Sequence, residues 1–154
     1  MSQCCGKIPD DDDAAHIRKS IEAHGNKLQG DIGEQVAAQV VTERLHLIAE
    51  NYDPPNKGFD SVYRDGAGKL VIVEAKFTKT GGLSALKETN HGKQGSVEWM
   101  RHNAELMCDP YSDHYSPDNA KIGEEILRVG PENVHIVVVH TDPGTLESKV
   151  INIR

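Results

Sequence analysis

The chain has 154 residues, 37% hydrophobic and 27% charged, with a net charge of −7. That length fits one domain with a sizeable core, and the balance excludes a wholly disordered polypeptide. No stretch approaches the roughly 18–20 consecutive apolar residues of a membrane span, and the N-terminus lacks the basic start and apolar run of a secretory signal. Cys4 and Cys5 are adjacent and Cys108 is alone, so no disulfide framework is expected. Free thiols and the lack of a signal lead us to expect a cytoplasmic protein.

In chain order, the run Asp10-Asp11-Asp12-Asp13 opens a polar helix that Gly25 closes, a peripheral segment within residues 1–28. Residues 29–154 are then expected to form a single domain. A long helix is predicted over residues 29–51, with Glu34, Ala37, Ala38, Val41, Leu45 and Ile48 on one buried face. Gly30 and Gly33 would let it approach another backbone closely. Asp53-Pro54-Pro55-Asn56 ends it. A hairpin follows, residues 58–65 and 69–78 around a Gly66-Ala67-Gly68 turn, whose last glycine suits a type I turn plus bulge. Residues 79–95 read as a polar loop. Ser96 caps a helix to Met107 that carries Val97, Met100, Ala104 and Cys108 on one side. Residues 109–116 are irregular, 118–129 a short helix ended by Gly130-Pro131, and 134–140 a nearly continuous apolar strand suited to a sheet centre. Residues 146–153 make a last strand. The class is α/β, a sandwich around a small mixed sheet.

Charge is unevenly distributed. Residues 1–53 carry a net −5, residues 54–101 a net +3 and residues 102–154 a net −5. The central bases, among them Lys57, Lys79, Lys87 and Lys93, form a local patch that a polyanion would feel at close range despite the acidic total.

The second hairpin strand, Leu70-Val71-Ile72-Val73-Glu74-Ala75-Lys76-Phe77, places Val71, Val73, Ala75 and Phe77 on a core face. Glu74 and Lys76 share the other face with Leu70 and Ile72. If the turn closes with Asp65 opposite Lys69, then Asp60 falls opposite Glu74 on the same face. Two opposed carboxylates repel unless a cation lies between them, and with Lys76 beside them this is the layout of a divalent-metal site. Glu34, on the apolar stripe of the long helix, needs a partner too.

Asp60, the strand-borne Glu74-Ala75-Lys76 and Glu34 on a preceding helix together resemble the PD-(D/E)XK, or restriction-endonuclease-like, nuclease superfamily. The segment Lys93-Gln94-Gly95-Ser96-Val97-Glu98-Trp99-Met100 is similar to one in nuclease modules of bacterial polymorphic and contact-dependent toxins. The resemblance spans residues 30–100, and the Pro-Asp element is partial, because Phe59 precedes Asp60 and Pro55 is distant. It implies a restriction-endonuclease-like sandwich, a central mixed β-sheet flanked by helices, and hydrolysis of phosphodiester bonds of DNA or transfer RNA with Mg²⁺ or Mn²⁺. It further implies Asp60, Glu74 and the Ala75 carbonyl as metal ligands, with Glu34 on the same or a second ion. Lys76 would orient or deprotonate the attacking water, or stabilise phosphate charge. Gln94 would contact substrate or hold water. Lys93, Ser96 at its helix start, Lys79 and Lys87 would receive the nucleic-acid backbone. A toxin module would act in a target-cell cytoplasm and need a cognate inhibitor or immunity protein.

Other readings remain open. Glu74–Lys76 is also compatible with a surface ion pair, Trp99 with helix packing, and Gln94 and Ser96 with loop and cap roles. A non-catalytic nucleic-acid-binding, immunity or interaction module on a degenerate nuclease fold is the main rival. A metal-free ribonuclease using His91 or His114 is another. The histidines show no ligand spacing, and no Walker A loop, dinucleotide-binding glycine fingerprint or Gly-x-Ser-x-Gly elbow is present.

Overall fold

The computed structural model describes residues 30–79 and 86–154. The polar helix expected before Gly25, together with Cys4 and Cys5, lies outside the described residues. A helix α1 over residues 30–43 is followed by strands β1 (Ile48–Ala49), β2 (Ser61–Arg64) and β3 (Leu70–Phe77). Then come a small hairpin, β4 (Glu88–Thr89) and β5 (Gly92–Lys93), helices α2 (Val97–Cys108) and α3 (Pro117–Val129), and strands β6 (His135–Thr141) and β7 (Ser148–Asn152). The main sheet has the order β1-β2-β3-β6-β7, with β3 and β6 parallel and the other neighbours antiparallel. The class is therefore mixed α/β around a five-stranded mixed sheet. No helix among the described residues is long and apolar enough to cross a membrane.

The hairpin has the register its turn dictates. Ser61 pairs with Val73, Val62 with Ile72, Tyr63 with Val71 and Arg64 with Leu70. Asp65 closes the loop by donating its N–H to the Lys69 carbonyl, while its Oδ1 accepts from the Ala67 and Lys69 amides. Gly68 supplies the positive φ of 80° that the bulge position requires.

Both faces of β3 are core, whereas the sequence pattern suggested one. Val71 and Val73 pack with Val137 and Val139 against Ala37, Val40 and Val41 of α1. Leu70 and Ile72 pack with Ile136 against Trp99, Met100 and Met107 of α2 and Ile122 and Ile126 of α3. Each such side chain contributes about 1.5–3 kcal/mol on burial. Two close approaches hold the layers together. A Cβ on Gly33 would lie 2.9 Å from Phe77 Cβ, so α1 sits directly on β3, and one on Gly123 would lie 2.6 Å from the Ala104 carbonyl oxygen, where α3 crosses α2. At Gly30 a Cβ would meet nothing within 4 Å among the described residues, so none of them makes the close approach expected there.

Helix α1 stops at residue 43, not 51. His46 takes the left-handed φ of 55°, and the Val41 carbonyl accepts from both the Leu45 and Leu47 amides. Leu47 is buried, but Leu45 and Ile48 are exposed, and Ile48 and Ala49 pair with Arg64 and Tyr63 at the sheet edge. The apolar spacing ran on past the helix end with no Gly or Pro to mark it, and edge pairing took over. The buried stripe of α1 is Gly33, Ala37, Val40 and Val41; Glu34 is exposed beside it rather than on it.

The described part of the expected 79–95 loop contains the β4–β5 hairpin, Glu88 opposite Lys93 and Thr89 opposite Gly92. Gly92, at φ 100°, lets it lie against α2, since a Cβ there would be 2.7 Å from Ser96 Oγ. Ser96 caps α2 by accepting from the Trp99 amide, and Ser116 caps α3 by accepting from the Asn119 amide. On α2 the buried residues are Trp99, Met100, Asn103, Ala104 and Met107, so the face is turned relative to the one expected from Val97 and Cys108, which are only half-buried.

Candidate active site

Strand β3 outruns β2. Antiparallel pairing stops at Ser61 and Val73, so the Glu74–Phe77 half of β3 is laddered to β6 on one side and open to Asp60 on the other. There the Asp60 N–H donates to Glu74 Oε2 at 2.9 Å, and Asp60 Oδ2 accepts from the Ala75 N–H at 2.8 Å. The N–H and C=O of one strand residue point to the same side, so the Ala75 carbonyl also faces this opening. Tyr52 braces the approach by donating its hydroxyl to the Phe59 carbonyl at 2.9 Å.

Glu74 is only 1% exposed, and its Oε1 is buried with no hydrogen-bond partner among the described residues. An unpartnered carboxylate oxygen in a core costs several kcal/mol unless a proton or a cation meets it. Burial, then the Asp60 charge, raises the Glu74 carboxyl well above its ordinary range, against the smaller opposing pull of the Asp60 amide and Lys76. Burial likewise raises Asp60, opposed by the Ala75 hydrogen bond and Lys76. Burial and the same two carboxylates push the Tyr52 phenol up.

Lys76, half-buried one turn of the pleat further on, donates its Nζ to Gln94 Oε1 at 2.9 Å and ion-pairs with no carboxylate among the described residues. The same Gln94 oxygen accepts the Lys87 amide at 3.1 Å, and the Gln94 amide donates to the Lys87 carbonyl. Gln94 thus ties the lysine to the base of the β4–β5 hairpin. Glu34 stands at the margin: it is exposed and hydrogen-bonds to neither carboxylate. Burial, then Asp60, then Asp31 raise its carboxyl, so it senses the pair through space.

Among the described residues no group of three or more His, Cys, Asp or Glu side chains is arranged to hold a metal ion. Asp60 and Glu74 form a pair. That suits Mg²⁺ or Mn²⁺ better than an all-protein cage would, because Mg²⁺ keeps several waters and is held by one or two carboxylates plus substrate phosphates. The orphaned Glu74 Oε1, the hard oxygen donors and the open Ala75 edge fit such an ion; the expected Glu34 ligand is not drawn in beside them.

Asp60 lines a cleft of about 670 Å³ whose other walls include Gln94, Lys57, Lys87, His91 and His102, while Glu74 lies buried behind it. Of the expected nucleic-acid contacts, Lys87 and Gln94 line it. Lys93 and Lys79 are exposed outside the lining, and the Ser96 hydroxyl is committed to its cap. Trp99 packs edge-to-face on Phe59 with ring centroids 5.1 Å apart, a core role. His114 is buried and bonded to Asp113, and His135 and His140 bond to backbone carbonyls. Cys108 is a free thiol, half-buried between α2 and α3.

Sequence reasoning passed over Tyr52 and the stacking of His91 on His102, and gave Lys57 only as a member of the basic patch. Asn90 and Gly92 flanking His91 were a legible turn signal. Nothing in an eleven-residue separation announces that His91 and His102 stack. In comparisons with known proteins, the chain matches no family model, no curated protein and no solved structure.

Proposed function

We propose that this chain is a metal-dependent nuclease of restriction-endonuclease-like type that hydrolyses phosphodiester bonds of DNA or transfer RNA with weak sequence specificity. The observation that carries the reading is the buried, unpartnered Glu74 Oε1 beside Asp60 at the open end of β3. A mixed β-sheet with α1 on one face and α2 and α3 on the other, the kind of sandwich the resemblance implies, supports the reading.

Asp60 and Glu74 would hold Mg²⁺ or Mn²⁺, with the Ala75 carbonyl on the same edge. When bound, the ion supplies Lewis-acid polarisation of the phosphoryl oxygen and a lowered pKa for bound water. Two backbone hydrogen bonds hold the carboxylates in place without using every oxygen lone pair. Lys76 offers protons at Nζ for orienting water or neutralising phosphate charge, and Gln94 fixes where that Nζ lies. Lys57 and Lys87 attract the backbone without reading bases. Glu34 tunes the field of the pair from its margin. A toxin-type effector acting in a target cell's cytoplasm, restrained by a cognate inhibitor, is the biological setting this reading favours.

The test is cleavage of plasmid DNA and of total transfer RNA with Mg²⁺, Mn²⁺ or EDTA, by wild type, Asp60→Ala and Lys76→Ala. Metal-dependent cutting by wild type, lost in both variants, is expected. Full activity in a folded Asp60→Ala protein would overturn the site.

One observation favours a second reading, a non-catalytic binding or interaction module on a degenerate nuclease fold: among the described residues only two carboxylates come together. Such a module would show no Mg²⁺-dependent thermal shift and cut neither substrate.

A further inference from the structure

The β4–β5 hairpin carries a feature that metal chemistry does not require. His91, in its turn, stacks on His102 of α2 with ring centroids 3.4 Å apart and planes 19° from parallel. Two imidazoles so placed cover each other's inner faces and leave the outer face of each for a further planar group. His91 is exposed, and no other ring stacks on either of them among the described residues. The pair is held firmly: the His91 amide donates to Thr89 Oγ1, and the bare Gly92 seats the hairpin against Ser96 and Glu98. At its base Gln94 joins the same hairpin to Lys76. The stack lines the same cleft as Asp60, and so do Asn56, Asn90 and Asn103, the last with its Nδ2 donating to the Trp99 carbonyl.

We infer that the His91–His102 stack is a platform for an unpaired nucleobase, so that the cleft takes single-stranded nucleic acid or a single-stranded loop rather than intact duplex. A base inside a duplex already has both faces covered by its neighbours; only an unstacked base offers a face to a side chain. The cleft, at about 670 Å³, lies in the roughly 300–1,000 Å³ range of sites for small molecules, suited to one or two nucleotides. Lys57 and Lys87 would follow the backbone while the exposed Asn56 and Asn90 would offer carboxamide donors and acceptors to base edges. This rests on the nuclease reading only for the direction in which the strand runs, from platform to carboxylates.

The experiment measures binding in EDTA, where no metal-dependent cutting occurs. Fluorescein-labelled oligothymidylate and oligouridylate about ten nucleotides long, and the thymidylate strand annealed to its complement, are titrated by anisotropy at about 0.15 M salt. Wild type, His91→Ala, His91→Phe and Asp60→Ala are compared, each checked for folding by thermal melting. The single strands are expected to bind at least about tenfold more tightly than duplex, with a loss of about tenfold in His91→Ala and near-complete recovery in His91→Phe, which keeps the ring without the nitrogens. Equal binding of duplex, or no loss in His91→Ala, overturns the platform. A loss in His91→Phe as large as in His91→Ala makes the contact polar and overturns it as well. Whether uridylate or thymidylate binds more tightly identifies the RNA or DNA source. Ring-dependent single-strand binding without metal-dependent cleavage would sink the nuclease reading and leave the platform standing; the reverse result would do the opposite.

Discussion

Asp60 and Glu74 lock each other through backbone amides: the Asp60 N–H donates to Glu74 Oε2 and Asp60 Oδ2 accepts from the residue after Glu74, Ala75. The two side chains therefore cannot swing apart to relieve their repulsion. One oxygen, Glu74 Oε1, is left buried with no partner among the described residues.

Glu74→Gln should stabilise the ion-free protein and abolish cleavage. Burial and Asp60 raise the Glu74 carboxyl, so between the ordinary carboxylate range and its raised folded value the native state keeps a proton that the unfolded chain has released. Stability in EDTA then falls as pH rises across that window. The amide cannot ionise, which removes the slope and raises the melting temperature near neutral pH by about 2–4 °C per kcal/mol gained. Thermal melts from pH 4 to 8 in EDTA check this; an unchanged slope in Glu74→Gln would assign the pH dependence elsewhere.

Saturating Mg²⁺ or Mn²⁺ should raise the melting temperature, most at the alkaline end of the same window where the carboxylates are free of protons. At a hundred times the dissociation constant, the gain is about 2.7 kcal/mol. Asp60→Ala should lose it. Glu34→Ala, changing an exposed side chain that only senses the pair, should keep most of it.

Lys76→Ala should lower cleavage by about 10²–10⁴-fold without changing the fold. Gln94→Ala removes the acceptor that positions Nζ and an anchor of the hairpin, so a smaller loss, about tenfold, is expected. Equal losses in the two variants would make Gln94 a direct contributor to the reaction rather than a positioning residue. Single-turnover rates under saturating metal separate these.

Gly33→Ala tests how α1 is seated. Alanine gains up to about 1 kcal/mol of helix propensity, but its methyl would lie 2.9 Å from Phe77 Cβ, and overpacking costs about 1–3 kcal/mol. A net loss of stability by urea melting is expected. Gly30→Ala, which meets nothing within 4 Å among the described residues, should be neutral or stabilising.

The hairpin shows what local chemistry settles. Asp65, Gly68 and strict alternation determine turn, register and hence the Asp60–Glu74 opposition, because every one of those forces acts within fifteen residues. The caps at Ser96 and the glycine stop at Gly130 are local in the same sense. The end of α1 is not. Leu45, Leu47 and Ile48 satisfy helical spacing equally well, and the choice fell to an edge strand that only Tyr63 and Arg64 could offer.

From the sequence by itself came the mixed α/β class, the hairpin register, and the placing of Asp60, Glu74 and Lys76 on neighbouring positions of one sheet face. Those are consequences of short-range geometry. Only tertiary structure decided that this face is covered, since α2 and α3 must pack on it before Glu74 becomes a buried acid with an orphaned oxygen. It alone decided that Gln94 grips Lys76, that Glu34 stays at the margin, and that His91 stacks on His102. Burial and long-range contact belong to whole layers meeting, and no periodicity within one segment carries them.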